Sequence, residues 1–355
     1  MASGRGLTLL SGPANAGKVA LLLERYLDAL DRDPVLIVPY GSDVERIERE
    51  LLARRGALLS GDIGTFDDVF ERLARAGDEQ RPTLSDAQRR LAVRTALSAA
   101  SLNGLSASAR FTGFADALAG ALAELESGLV EPTEVQGDLA QLHAAYRAEL
   151  DRLGVWDREL RRRYAVQRLE SDLDAWDGRP VFAYGFEDLT GAQWALLQAL
   201  AGRTEVIVSL PYEPGRAAFE SLQGTSDDLA ALADGRIEEL PPRYEDVAPP
   251  ALAHLERQLF ADRRAFGPEP GGAIRFLEGA GARGTLELVA EEILELLRAG
   301  TRAEEILVVC PTLDRRRAQI ETAFGALGVP YAIEGRVRIG KTAFGQALLA
   351  FLRFE

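Results

Sequence analysis

The sequence predicts an α/β fold: a parallel sheet covered by helices, an inserted helical subdomain, and a second, partial α/β domain. Three observations support this prediction. Strand and helix patterns alternate over residues 1–65, helical periodicity alone fills residues 66–178, and the alternation resumes near residue 179. Strands that alternate with helices normally form a parallel sheet with helices on its faces.

The first 65 residues predict two strands and two helices in alternation. The apolar run at 7–11 predicts a strand, and an amphipathic pattern over 18–30 predicts the helix that follows it. Residues 35–39 are expected to form a fully buried strand. Ser42 is expected to cap a helix that reaches Arg55 and stops at Gly56.

The middle of the chain predicts an insert, the rest of the first sheet, and a linker. Residues 66–178 are rich in alanine and leucine at helical spacing, so we expect a helical subdomain there. Strands at 181–184 and 205–210, with a helix at 192–200, complete a first domain of residues 1–65 and 179–212. Residues 211–271 hold eight of the sixteen prolines, and we interpret 213–271 as a linker or excursion.

Residues 272–355 predict a second α/β unit. Its expected strands are 273–277, 306–310 and 330–333, and its expected helices are 285–299 and 313–327. The sheet looks unfinished at residue 355, so we expect the chain to be part of a longer polypeptide.

The composition excludes several classes of site. The single cysteine, Cys310, excludes a disulfide framework and a cysteine-based metal cluster within this chain. His143 and His254 lack ligand-like spacing, so no metal site is expected. The formal net charge of −14 argues against a broadly basic, nucleic-acid-coating surface. Neither a signal peptide nor a membrane span is evident, and we expect a cytoplasmic protein.

A phosphate-binding loop is predicted between the first strand and the first helix. The pattern is Gly-x4-Gly-Lys, formed by Gly12, Pro13, Ala14, Asn15, Ala16, Gly17, Lys18 and Val19. In such a loop, small residues let backbone amides cradle phosphates at a helix N-terminus, and the lysine reaches the outer phosphates. Val19 stands where serine or threonine would bind Mg²⁺, so we expect ATP binding with weak or absent Mg²⁺. The alternative is a tight turn that binds nothing.

A second string, from Gly335 to Thr342, completes the same pattern in a poorer context. Its loop positions carry bulky side chains, and a phosphate cradle needs close backbone approach. We therefore interpret it as a chance match. These bulky residues are Arg336, Val337, Arg338 and Ile339.

The strand at 181–184 resembles motif II of the UvrD/Rep-type superfamily 1 helicases. Phe186, Asp188 and Gln193 fall in step with that motif, whereas Tyr184 and Gly185 stand where its two catalytic acids belong. Glu187 and Asp188 are the nearest substitutes, but an extended chain places them roughly 7–10 Å beyond the required positions. We therefore expect ATP hydrolysis to be deficient.

Several other stretches are similar to the AddB-type subunit of bacterial helicase–nucleases. They lie at 35–40, 64–66, 185–190, 284–293, 306–312 with 328–331, and 344–349. The resemblance implies a RecA-like fold for both α/β domains, with 66–178 as the family's subdomain 1B and 272–355 as part of subdomain 2A. It also implies that Thr65 and Phe66 border a DNA strand and that Arg317 stands in for a phosphate-sensing arginine.

Two arginine runs are candidates for contact with nucleic acid. Arg161, Arg162 and Arg163 precede Tyr164, and a second run covers 315–317. Arginine beside an aromatic ring suits phosphate contact and base stacking. The alternative for each run is a solvated helix face.

Two functional hypotheses remain open at this point. In the first, the chain is a helicase-like DNA-binding scaffold for DNA repair or recombination that lacks ATP hydrolysis. In the second, it is an active P-loop ATPase or helicase that recruits Glu187 or Asp188. The resemblance implies DNA, either single-stranded or a duplex end, and a helicase–nuclease partner subunit, with no membrane partner.

Overall fold

The first of two units is built around a six-stranded sheet. The computed structural model describes residues 6–261, 265–333 and 339–353. The chain forms two compact units, Met1–Pro268 and Glu269–Glu355. In the first unit all strand pairs are parallel, in the order β3-β2-β4-β5-β1-β6. The strands are β1 (Gly6–Gly12), β2 (Val35–Ile37), β3 (Asp62–Gly64), β4 (Val181–Tyr184), β5 (Glu205–Pro211) and β6 (Ile237–Glu239).

Helices cover both faces of this sheet, which explains why its central strands are almost wholly apolar. The helices α1 (Lys18–Asp28) and α2 (Gly41–Arg55) pack on one face. The other face is covered by α3 (Phe66–Arg75), α7 (Arg158–Ser171), α8 (Gly191–Ala201) and α9 (Gln223–Ala233). Both sides of the sheet are thus removed from water, as parallel sheets require. This architecture confirms the predicted α/β fold and is consistent with a RecA-like sheet.

Residues 66–178 form helices joined by loops, without a strand and with one isolated bridge between Thr83 and Trp156. Between α3 and α7 lie α4 (Asp86–Ala99), α5 (Phe114–Ser127) and α6 (Gly137–Leu153). These three helices share an apolar core of their own, in which Val93, Leu122 and Tyr146 are fully buried. The insert therefore has a core that is distinct from the two cores of the sheet.

The proline-rich segment, interpreted above as a linker or excursion over 213–271, contributes one strand to the sheet. Its strand β6 pairs with β1 through Ile237, Glu238 and Glu239. The amide of Leu240 also donates to the carbonyl of Ser11 at 2.8 Å. A three-residue edge strand with exposed side chains has no apolar pattern from which it could be predicted. Two short helices follow it, α10 (Tyr244–Val247) and α11 (Pro250–Gln258).

The second unit departs from the prediction because its described residues contain no strand. It holds α12 (Gly281–Arg298), α13 (Leu313–Leu327) and α14 (Ala343–Leu352). The first two pack around Ile293, Ile320 and Phe324. The segments 273–277, 306–310 and 330–333 are unpaired, and Phe276 and Leu307 are 96% and 84% exposed. An apolar run becomes a strand only where a neighbouring strand satisfies its backbone, and the described residues supply none.

Two further details complete the fold. The helix α2 begins at Gly41 with Tyr40 as its N-cap, not at the predicted Ser42, and it ends at Gly56 as expected. Among the described ranges of the chain, no helix is long and apolar enough to cross a bilayer.

Candidate functional site

The predicted phosphate loop joins β1 to α1 at the carboxyl edge of the sheet. Gly12 ends β1, Gly17 is the N-cap residue of α1, and Lys18 is its first residue. A side chain at Gly12 would place its Cβ 2.7 Å from the carbonyl oxygen of Leu240, so only glycine fits there. The loop thus passes close to the backbone that follows β6.

The loop lies where the helices that follow two neighbouring strands pack on opposite faces of the sheet. The strands β1 and β5 lie side by side, yet α1 packs on one face and α9 on the other. Such a switch leaves a crevice at the carboxyl ends of the strands, where ligands of open α/β sheets bind. This crevice is the candidate site.

The amides at the start of α1 are available to an anion. The first helical hydrogen bond runs from the amide of Leu21 to the carbonyl of Gly17 at 3.0 Å, and no side chain caps the helix. The amides of Lys18, Val19 and Ala20 therefore lack partners within the helix. Together with the helix dipole they favour a negative group at this point.

Lys18 is buried beneath this loop, and no acidic residue in the described part of the chain forms an ion pair with it. Its residue is only 8% exposed, and its ammonium group donates to the carbonyl of Pro13. Burial lowers the pKa of Lys18 to about 8, because a charged group loses hydration inside the protein. A phosphate at the loop would give this ammonium group the counter-charge that the protein does not provide.

Tyr184 and Gly185 occupy the end of β4, two strands away from β1. The phenol of Tyr184 is buried and accepts a hydrogen bond from Nη2 of Arg46 at 2.8 Å. The same Nη2 donates to Asp43 at 3.0 Å. Burial raises the pKa of Tyr184, so this group is a neutral hydroxyl and not an acid at neutral pH. Where motif II of the UvrD/Rep-type helicases has its two catalytic acids, the sheet edge thus carries Tyr184 hydrogen-bonded to Arg46.

Glu187 and Asp188 lie on the exposed loop beyond Gly185. The carbonyl of Glu187 accepts a hydrogen bond from the hydroxyl of Thr225 at 3.2 Å, while Thr190 and Gln193 form the capping box that starts α8. No group of three or more histidine, cysteine or acidic residues within 6–261, 265–333 and 339–353 is arranged to hold a metal ion.

Thr65 and Phe66, predicted beside a DNA strand, serve mainly local structure. At the start of α3 the amide and the hydroxyl of Thr65 both donate to Oδ2 of Asp68, at 2.7 and 2.8 Å. Phe66 is 3% exposed, and its ring contacts that of Phe186 with 4.7 Å between centroids. A ring so buried has no face open to a base, which corrects the expectation for Phe66. The neighbouring Tyr40 is 70% exposed instead.

The first arginine run is an ion-pair network, not an open basic surface. Arg162 contacts Asp67 at 2.6 Å and Glu159 at 2.8 Å. Arg163 pairs with Glu131, and Arg161 lies 3.9 Å from Glu71. Their side chains are between 10% and 20% exposed. Both interpretations of this run, as a phosphate contact and as a solvated face, are therefore replaced by a structural one.

The second unit carries the remaining predicted residues. Arg317 is 3.4 Å from Glu321 and also donates to the carbonyl of Ile333, so its partners lie within the unit. Arg315 and Arg316 are exposed on α13. Half of the second Gly-x4-Gly-Lys string, residues 335–338, lies outside the described residues, and Ile339–Lys341 forms a single 3₁₀ turn.

Comparison with known proteins gives relatives over nearly the whole chain. A protein of Desulforudis audaxviator, named as the B subunit of an ATP-dependent helicase/deoxyribonuclease, is 29% identical over 92% of this chain. Its namesakes in Symbiobacterium thermophilum and Heliobacterium modesticaldum are 27% and 28% identical over 98% and 93%. The resemblance to the AddB family is confirmed. The chain spans about a third of the length of these relatives, at 31–34%. No family model matches the chain.

Two residues at the edge of the sheet were not singled out from the sequence. Arg46 lies within a helix rich in charged residues, where nothing distinguishes it from Arg49 or Arg54. Only its bond to Tyr184, 138 positions away, reveals its place. Tyr40 could have been found, because an aromatic residue directly after a buried strand falls at the carboxyl edge where ligands bind.

Proposed function

We propose that this chain is the nucleotide-binding, helicase-like part of a helicase–nuclease subunit in DNA repair, and that it does not hydrolyse ATP. Its P-loop would hold the phosphates through the amides of α1 and through Lys18, in the manner of UvrD/Rep-type helicases. The names of the relatives support a role within an ATP-dependent helicase/deoxyribonuclease. Because these names describe a B subunit, they also support the presence of a partner chain. The nucleotide would then stabilise a scaffold that works on DNA.

The replacement of the catalytic acids carries the proposal that hydrolysis is absent. Hydrolysis by this class of site needs a carboxylate to hold Mg²⁺ and another to orient water. At the end of β4 the chain offers the neutral phenol of Tyr184 and the hydrogen side chain of Gly185. Glu187 and Asp188 are exposed, and no hydrogen bond or ion pair among the described residues turns their carboxylates toward the loop. Binding without turnover is the outcome that this edge favours.

Contact with single-stranded DNA is proposed for the same edge of the sheet, at Tyr40. The backbone of Val38 bonds to that of Gly64 at 2.8 Å, so Tyr40 and Thr65 follow neighbouring strands. Tyr40 presents an exposed ring there, and a base stacked on an aromatic ring gains about 1–3 kcal/mol. The net charge of −14 requires such contacts to be local.

The nucleotide proposal is tested by calorimetric titration of the chain with ATP, together with a phosphate-release assay in the presence of single-stranded oligonucleotide. We expect saturable binding, no phosphate release above the protein-free rate, and loss of binding in Lys18→Ala. Phosphate release at each turnover, stimulated by DNA, would instead establish the ATPase that uses Glu187 or Asp188.

The DNA proposal is tested by fluorescence anisotropy with a labelled oligothymidine and with a blunt duplex. Tyr40→Ala is expected to weaken binding of the single strand by about tenfold, the loss of one stacked base. Phe111→Ala is the matched control, because Phe111 is 74% exposed on the helical insert. Equal affinities for the two variants would exclude Tyr40 as a stacking residue.

A further inference from the structure

Arg46 places a positive charge at the edge of the sheet where the related helicases place acids. Its guanidinium is held at the end of β4 by Tyr184, and its side chain is 53% exposed. Both of its hydrogen bonds, to Tyr184 and Asp43, are made by Nη2. Within the described residues, its Nε and Nη1 groups have no hydrogen-bond acceptor. Three N–H donors of the fork therefore remain for a ligand.

The residues around the loop do not fit the Mg²⁺ ion that the helicase fold implies. Mg²⁺ binds through oxygen ligands, above all carboxylates and hydroxyls. The side chain of Val19 offers no oxygen, and Tyr184 is a buried, neutral phenol that already accepts a bond from Arg46. The carboxylate of Asp43 accepts a bond from the same Nη2. A cation fixed beside this phenol also repels a second cation. The donor set disagrees with a metal-dependent site.

The two protein cations belong to the same carboxyl edge of the sheet, since Lys18 follows β1 and Arg46 is bonded to Tyr184 at the end of β4. Lys18 follows β1 and Tyr184 ends β4, with β5 between them, so the strand ends are about 10 Å apart. Val19 also packs against the apolar cluster that contains Tyr184. A phosphate chain seated on the loop amides would therefore extend toward Arg46.

We propose that the site binds a nucleotide polyphosphate without a metal ion, with Arg46 supplying the charge that Mg²⁺ supplies in active helicases. This inference rests on the proposed nucleotide binding and makes it more specific. Arg46 contacts the phosphates through its open N–H donors, because guanidinium binds phosphate oxygens in a bidentate way. Tyr184 is a positioning residue, since its phenol fixes the guanidinium. Asp43 balances part of the charge when the site is empty.

The test is a pair of calorimetric titrations with ATP, one in EDTA and one with excess Mg²⁺, on the whole chain. We expect the same Kd in both buffers. Arg46→Ala is expected to raise the Kd in EDTA by about tenfold, the loss of one charge-assisted contact. Tyr184→Phe should cause a smaller loss, because the guanidinium remains but is no longer fixed. Arg49→Ala is the matched control, since Arg49 lies on the same helix and its Nε bonds to the carbonyl of Glu45 at 3.2 Å.

The outcomes separate this inference from the function on which it rests. Binding that appears only with Mg²⁺, or that tightens about tenfold with it, would overturn metal-free binding and leave nucleotide binding intact. Equal Kd values for Arg46→Ala and Arg49→Ala would overturn the role of Arg46. Absence of ATP binding in both buffers would contradict the proposed nucleotide function and this inference together. Circular dichroism of each variant confirms that it folds.

Discussion

Replacement of Lys18 by methionine is expected to stabilise the chain at neutral pH. Lys18 is a buried ammonium group whose pKa falls from 10.5 to about 8 because burial removes its hydration. Each pKa unit corresponds to about 1.4 kcal/mol, so a protonated Lys18 costs about 3 kcal/mol of folding free energy at pH 7. Methionine fills a similar volume and carries no charge.

The difference in stability between the parent and Lys18→Met is expected to depend on pH. Between pH 8 and 10.5 the unfolded chain binds more protons at this residue than the folded chain, so the parent gains stability as the pH rises. The advantage of Lys18→Met should therefore shrink by about 2 kcal/mol between pH ~7 and pH ~9.5.

Urea unfolding of parent and variant at the two pH values measures this difference, because all other titrating groups are common to both. Arg49→Met is the control, since it replaces an exposed arginine of α2 by the same residue type and leaves the loop unchanged. A stability gain of Lys18→Met that is the same at both pH values, or a variant less stable than the parent at pH ~7, would refute the description of Lys18 as a buried, unpaired charge.

Three further changes test the structure around the site and in the insert. Gly185→Ala should destabilise the fold by about 1–3 kcal/mol in thermal unfolding, because the backbone has φ +82° and the new Cβ would lie 2.8 Å from Pro39. Unchanged stability would contradict this geometry. Arg162→Ala should lower the free energy of unfolding in urea by about 3 kcal/mol and leave the affinity for single-stranded DNA unchanged. Weaker DNA binding by a stably folded variant would instead support a nucleic-acid role for Arg162. Burial alone would raise the pKa of Glu126, but hydrogen bonds with His143 and Arg147 hold it below its ordinary value. The stability from this carboxylate is present above its ordinary pKa and is lost as the pH falls through the lower value of the folded state. Acidification should therefore destabilise the parent more than Glu126→Gln. Parallel curves of stability against pH for the two proteins would refute this.

The elements that could be predicted are those whose local pattern agrees with their surroundings. The strand β4 was predicted to the residue because four apolar positions are flanked by turn-forming residues and are buried on both faces. The place of the loop between β1 and α1 followed from its glycine and lysine spacing, and its binding of phosphate stays a prediction.

The features that escaped prediction depend on partners distant in the sequence. The edge strand β6 is defined only by its pairing with β1. The reverse error occurs at 306–310, where an apolar run has no neighbouring strand within the described residues. Arg162 resembles part of a basic surface until Asp67, 95 positions earlier, is seen to contact it.

The central claim is that the chain binds a nucleotide and leaves it intact. The most direct measurement is a single-turnover assay in which γ-labelled ATP is incubated with excess chain and single-stranded oligonucleotide, followed by separation of ATP from phosphate. We expect ATP to remain bound to the parent and to be recovered intact. Release of labelled phosphate that requires both the chain and DNA, and is lost in Lys18→Ala, would contradict this claim.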